Sequence, residues 1–355
     1  VARQTVVSRR RVPRLACLVG LLALVAGCGQ PLYVARLGWE EARLLWRRQP
    51  IPDLLARPDL DSALRERLEL VLAARAFADE RLGLRVGDSY GTFAEVDGRG
   101  VVHVLQAAHR DRLESYTWWY PVAGRVPYRG YFDRADAEKA GERLAADGYD
   151  VDVRPAIAFS TLGWFADPLL SSTAQGSPEQ VVETVLHELF HATLYVPGEP
   201  AFNESAATFA GHRGAIAFFC DGPGADAARC ARTREAWRAT QARGAILGRL
   251  AAKLRRLYAS NPPAPVREQV RGRLAARAGR ALEAQGAGRL TEVVPPNNAR
   301  LLGALIYVTD LDAFEALAPD ERDPAPALRA LVSTANGGGD PFAQVRALSL
   351  DDLEG

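Results

Sequence analysis

The chain has 355 residues, 48% of them apolar and 25% charged, and its 44 basic side chains against 43 acidic ones leave a formal charge of +1. These proportions exclude disorder, a collagen-like repeat and a Cys-dense scaffold, and the length allows one large domain or two smaller ones. A balanced charge also argues against a dedicated nucleic-acid binder, which carries a clear basic excess.

Arg3, Arg9, Arg10, Arg11 and Arg14 precede an uninterrupted apolar run over 15–27. That run is too short to span a bilayer as a helix but suits the apolar region of a secretory signal peptide. It ends in Val25-Ala26-Gly27-Cys28, which resembles a bacterial lipobox. The expectation is cleavage after residue 27 and acylation of Cys28, which would hold the chain on a lipid bilayer. Gly29 follows, with no aspartate there, in a pattern resembling outer-membrane sorting with the protein facing the periplasm.

Residues 28–85 read as a helical segment, with apolar periodicity over 33–48 and 59–83. From 86 to 220 the texture is that of an α+β core. Strands are expected around Val101–Leu105, Tyr116–Val122 and Tyr149–Val153, and a helix over 134–147. Gly and Pro over 121–130 predict a tight hairpin, with Tyr128-Arg-Gly-Tyr-Phe as its returning strand.

Ser177-Pro178-Glu179-Gln180 predicts a helix start: a hydroxyl cap, Pro in the first turn and Gln completing a capping box. The helix carries His187-Glu188-Leu-Phe-His191 and stops near Pro197-Gly198. Histidines four apart leave one face a turn apart and can share a metal ion. Glu188 is offset by about 100°, so it can reach water at that ion without ligating it. Two histidines with a carboxylate base form the zincin arrangement. A competing view makes them two helical histidines hydrogen-bonded within a core.

A third ligand must come from elsewhere. The metzincin pattern needs histidine where Pro197 stands, so that class is excluded. Asn203-Glu204 opens an apolar helix and resembles the gluzincin third-ligand segment, which would complete a His2Glu site. His212, two turns along the same helix and about 12 Å away, is the competitor. Thr208, one turn past Glu204, is a candidate partner for a zinc histidine. Further on, Cys220 and Cys230 bracket a Gly/Pro/Asp-rich loop, and an oxidising compartment favours a disulfide there, worth about 2–3 kcal/mol. Residues 221–355 read as a mostly helical subdomain, with long Arg/Ala/Leu helices over 226–259 and 265–285. The arginines are expected to form a solvated face. After about 318 the chain turns Pro/Gly-rich, and Asn336-Gly-Gly-Gly-Asp is expected to end regular structure.

Together, Tyr120–Phe132, Ser160–Phe165 with Asp167-Pro168, the His187–His191 motif, Phe202–Thr208, and Asn297-Asn-Ala-Arg-Leu with Tyr307 resemble the putative bacterial aminopeptidase family of exported lipoproteins. The resemblance implies a gluzincin-like zinc metallopeptidase with one Zn2+ per chain, a zincin-like small sheet and a peptide substrate. In that scheme His187, His191 and Glu204 ligate zinc and Glu188 is the general base. Tyr307 is the first candidate to stabilise the oxyanion, and Tyr195 the second. Gly163-Trp164-Phe165 is a candidate cleft wall. No GAMEN-type segment is present, which leaves exo- and endo-cleavage both open. A non-catalytic metal-binding or structural envelope lipoprotein is the alternative reading.

Overall fold

The structure is a computed structural model describing residues 46–96, 103–120, 124–131, 133–155, 167–288, 297–335 and 338–348. The expected signal peptide, Cys28, most of the first expected helix and Gly163-Trp164-Phe165 lie outside these residues. The architecture is α+β, with small sheets and a mostly helical C-terminal part. No helix among the described residues is long and apolar enough to cross a membrane.

A short strand β1 (Gln49–Pro50) leads into α1 (Ile51–Leu55) and then α2 (Ser62–Glu80). Asp61 caps α2 by accepting from the Leu64 N–H at 2.9 Å. Leu68, Val71, Ala74, Phe77 and Ala78 recur at helical spacing and are buried. Strand β2 (Thr92–Ala94) pairs antiparallel with β1.

Next comes the second sheet. Strand β3 (His103–His109) is followed by β4 (Trp118–Tyr120), β5 (Gly124–Val126), β6 (Tyr128–Tyr131), α3 (Arg134–Ala146) and β7 (Tyr149–Pro155). The expected hairpin is real but divided. β4 pairs with β5 alone, while β6 leaves it to pair antiparallel with β3, whose other edge holds β7. Period-two alternation gives β3 two faces. Leu105 meets α3 at Gly141, where an added Cβ would come 2.9 Å from Val151 Cγ1. The opposite face presents Gln106, Asp150, Asp152 and Arg154, polar residues that receive a helix described below.

Strand β8 (Leu169–Leu170) pairs parallel with β2, and α4 (Ser171–Ala174) turns the chain toward α5 (Pro178–Thr193). The predicted capping box is present: Ser177 Oγ accepts from the Gln180 N–H, and Gln180 Oε1 accepts from the Ser177 N–H. α6 (Pro200–Asp221) packs along α5 and is buried on almost every side from Phe202 to Phe219. Two glycines permit this approach. A Cβ on Gly211 would lie 2.8 Å from Glu183 O and 3.1 Å from His187 Cβ; one on Gly214 would lie 2.9 Å from Leu186 Cδ1.

The outer side of α6 is covered by α7 (Ala227–Ala259), which packs in turn on α8 (Ala264–Ala284). Cys220 and Cys230 are bonded across the loop between α6 and α7, with Cα atoms 4.8 Å apart. Then follow α9 (Asn298–Leu305), α10 (Leu311–Ala316), α11 (Ala325–Ala335) and α12 (Pro341–Ala347). The last of these corrects the expectation that Asn336-Gly-Gly-Gly-Asp ends regular structure. Pro341 is tolerated because it stands in the first turn, behind an Asp340 cap. Leu328, Leu331 and Val345 are drawn into the main core. Phe202 and Phe209 of α6 join Phe314 and Trp237 in one aromatic cluster.

The α5–α6 contact generates a paired prediction. Gly211→Ala is expected to cost about 1–3 kcal/mol, since backbone and His187 must move apart. Gly248→Ala, at an exposed α7 position with nothing within 4 Å, is expected to gain up to about 1 kcal/mol. Denaturant unfolding of the two variants checks both signs.

Candidate metal centre

The site is built where α5 and α6 cross. His187 and His191 leave one face of α5, their rings 4.8 Å apart, and Glu204 faces them from the first turns of α6. His187 Nε2 and His191 Nε2 are 3.2 Å apart. Glu204 Oε2 stands 3.4 Å from the first and 3.5 Å from the second. These ligand atoms form a nearly equilateral triangle. Tetrahedral coordination with bonds of about 2.0–2.1 Å separates its donor atoms by about 3.3 Å, so the three fit one small divalent ion and leave one position open. His187, His191 and Glu204 are the only such group among the described residues.

Local sequence explains the Glu204 position. Asn203 clasps the loop between the helices: its Oδ1 accepts from the Val196 N–H and its Nδ2 donates to the Val196 carbonyl, both at 2.8 Å. The loop is thus tied to the first turn of α6, and the residue after Asn203 is delivered opposite the histidines. His212, the competing ligand, points away. Its Nε2 lies 3.2 Å from Glu183 Oε1 and 3.1 Å from Thr240 Oγ1, and its ring rests beside Trp237. Thr208 is buried, but it hydrogen-bonds neither histidine, and His191 Nδ1 is buried without a partner.

The electrostatics suit a cation. Burial opposes charge on His187, but the hydrogen bond to Glu204 and the carboxylates of Glu188, Glu204 and Glu183 outweigh it and raise its pKa. Burial likewise opposes ionisation of Glu204, yet hydrogen bonds from the two histidines hold its carboxyl down at about 2. Glu188 Oε2 is buried beside the triangle with no hydrogen-bond partner, an acceptor without a donor. Such an atom is costly unless something brings it a proton.

Tyr307 reaches the site from the far end of the chain. Its ring centroid is 6.4 Å from that of His187. Burial first, then the nearby Glu204 charge, push its phenol well above the ordinary range, so it keeps its proton. Two devices hold it there. Asn297 and Asn298 dock α9 on β7: Asn297 Nδ2 donates to the Val151 carbonyl at 2.7 Å, and the Asn298 N–H donates to Asp150 Oδ2 at 2.8 Å. Arg300 pairs with Asp152 on the same strand. Then Ser205, the residue after Glu204, donates from Oγ to the Ile306 carbonyl at 2.8 Å and accepts from the Thr309 N–H at 3.0 Å. The turn bearing Tyr307 is thereby fastened to the helix bearing Glu204. Tyr195, by contrast, is about half exposed and makes no ring contact or hydrogen bond with the three ligand residues.

Sequence reasoning missed three neighbours. Glu183, one turn before His187, was legible from helical spacing alone. Ser205 was not, because its partners lie about a hundred residues away. Tyr90 gave no sequence signal either. It is buried just before β2 with φ +58°, an uncommon backbone state for a bulky side chain, and its N–H donates to the Asp167 carbonyl at 2.7 Å. Burial, then the charges of Glu188 and Asp167, raise its pKa, which places Tyr90 in the field of Glu188.

No curated protein and no solved structure matches the chain. Residues 32–332 match the family described as "Putative aminopeptidase". That span takes in every element from β1 to α10 and all of the residues gathered at the site, so the chain belongs to this aminopeptidase family.

Proposed function

We propose that this protein is a zinc-dependent peptidase of the bacterial envelope, anchored to a bilayer through acylated Cys28 at the end of its signal segment and facing the periplasm. The observation that carries the catalytic reading is the triangle of donor atoms with edges of 3.2–3.5 Å beside the unpartnered Glu188 carboxylate. Two imidazoles and a carboxylate, with a fourth position open, are the ligand set of a catalytic zinc in the His2Glu class. Family membership supports a peptide as substrate.

A zinc ion there supplies Lewis acidity, polarising a peptide carbonyl and bringing the pKa of water toward about 7. The chain's own groups do the rest. His187, His191 and Glu204 hold the ion. Glu188 accepts a proton from the attacking water on its free oxygen and hands it to the departing amine. Tyr307, kept protonated by its surroundings, donates a hydrogen bond to the oxyanion that develops on the carbonyl. Ser205 fixes the turn from which it does so.

Four measurements test this reading. Elemental analysis of the purified chain is expected to give about one zinc per molecule, lost in His191→Ala. Zinc affinity should weaken on acidification: Glu204 stays ionised down to about pH 2, so the proton that displaces the ion goes to the histidines, of which His187 has a raised pKa. A chelator competition between neutral and mildly acidic pH should show a fall of about tenfold per pH unit for each proton taken up. In a peptide-library assay, Glu188→Gln should retain zinc and lose about 10²–10⁴ in kcat. Tyr307→Phe should lose about 10–10³ in kcat with little change in KM. Zinc bound with no turnover of any peptide, by wild type and Glu188→Gln alike, would leave a metal-binding envelope lipoprotein in place of a peptidase.

A further inference from the structure

Charge is unevenly distributed along this chain. Residues 236–284 contain eleven basic side chains and two acidic ones, in a protein whose net charge is +1, so the remainder is net negative. The stretch coincides with most of α7, all of α8 and the turn between them. Both acids lie on α8, and Glu268 is engaged by Arg271 and Arg267.

Several arginines of the α7–α8 pair are held by carboxylates. At the start of α7, Arg229, Arg232 and Arg234 pair with Glu66, Glu179 and Glu321. On α8, buried Arg271 pairs with Asp150. A groove runs along the seam itself. Ile246, Leu250 and Leu274 form its apolar floor, and Arg249, Lys253 and Arg277 line it with three cations. These three make no ion pair or side-chain hydrogen bond among the described residues.

We propose that this groove binds the headgroup of an acidic phospholipid at a bilayer surface. Three cations around one groove, with no carboxylate in the lining, favour an anion, and the apolar floor suits the glycerol and upper acyl carbons attached to it. The lining has no aromatic ring, Asn or Gln, so it offers nucleic acid neither a stacking platform nor a reader of base edges. The groove shares no residue with the His187–Glu204 site and does not depend on acylation of Cys28.

Cosedimentation of the full chain with phosphatidylcholine vesicles, with and without about 30 mol % phosphatidylglycerol, tests the proposal. Any contribution of the apolar segment at 15–27 is common to the proteins compared. The triple variant Arg249→Ser/Lys253→Ser/Arg277→Ser removes the groove cations. Arg81→Ser/Arg322→Ser/Arg329→Ser removes equal charge at exposed sites elsewhere, and circular dichroism melts confirm that both fold. The expected result is binding that rises with phosphatidylglycerol and falls in high salt. The groove variant should lose about fivefold per cation, about a hundredfold in all, and the control less than threefold. Binding indifferent to phosphatidylglycerol, or equal loss in both variants, would overturn the proposal. So would duplex DNA that displaces the vesicles and itself loses affinity in the groove variant, since the face would then be a general polyanion binder.

Discussion

The close approach of α5 and α6 at Gly211 and Gly214 is the constraint on which the rest depends. A side chain at Gly211 would press on the backbone at Glu183 and on His187 itself, and one at Gly214 on Leu186. With no side chain at either position, the helices settle near enough for a carboxylate on one to meet two imidazoles on the other at 3.4–3.5 Å. Packed interiors transmit such shifts because they have no slack. A methyl group in this contact would push the Glu183 backbone and His187 away from α6.

Around that contact the chain concentrates buried charge that would be expensive anywhere else. Glu188 keeps an unpartnered oxygen in the interior, His191 an unpartnered nitrogen, and Tyr90 a strained backbone. Each carries a free-energy cost that the α5–α6 core must cover. Their gathering at one place is the pattern of a site arranged for a cation and for proton transfer. The Glu183–His212–Thr240 cluster lies behind it, its charge felt by His187 but its donors used internally.

The C-terminal helices complete the site from outside. α9 is docked on β7 by Asn297, Asn298 and Arg300, and its following turn is fastened by Ser205. Buried Arg213 of α6 reaches Glu315 of α10 at 2.6 Å and the carbonyls of Ala318 and Asp320 at 2.9 Å. These ties explain why Asn297–Tyr307 stands out in the sequence: its residues carry α9, the sheet and the tyrosine as one unit.

Short-range features were legible without the fold. The capping box, the four-residue spacing of His187 and His191, the offset of Glu188 and the extents of α2, α3, α7 and α8 all follow from helix periodicity and end chemistry, which act within a turn or two of chain. The division of the expected hairpin between two strand partners did not follow, because β6 is claimed by β3 and no local signal says so. Nor did the helices α11 and α12, whose buried leucines and valine outweigh the Pro/Gly content around them. Residue types and spacing along single helices therefore determined which donor groups α5 presents on one face. Which carboxylate faces the histidines, which tyrosine joins them and which cations line the α7–α8 groove were decided by tertiary packing, since each depends on partners that only the folded chain brings within reach.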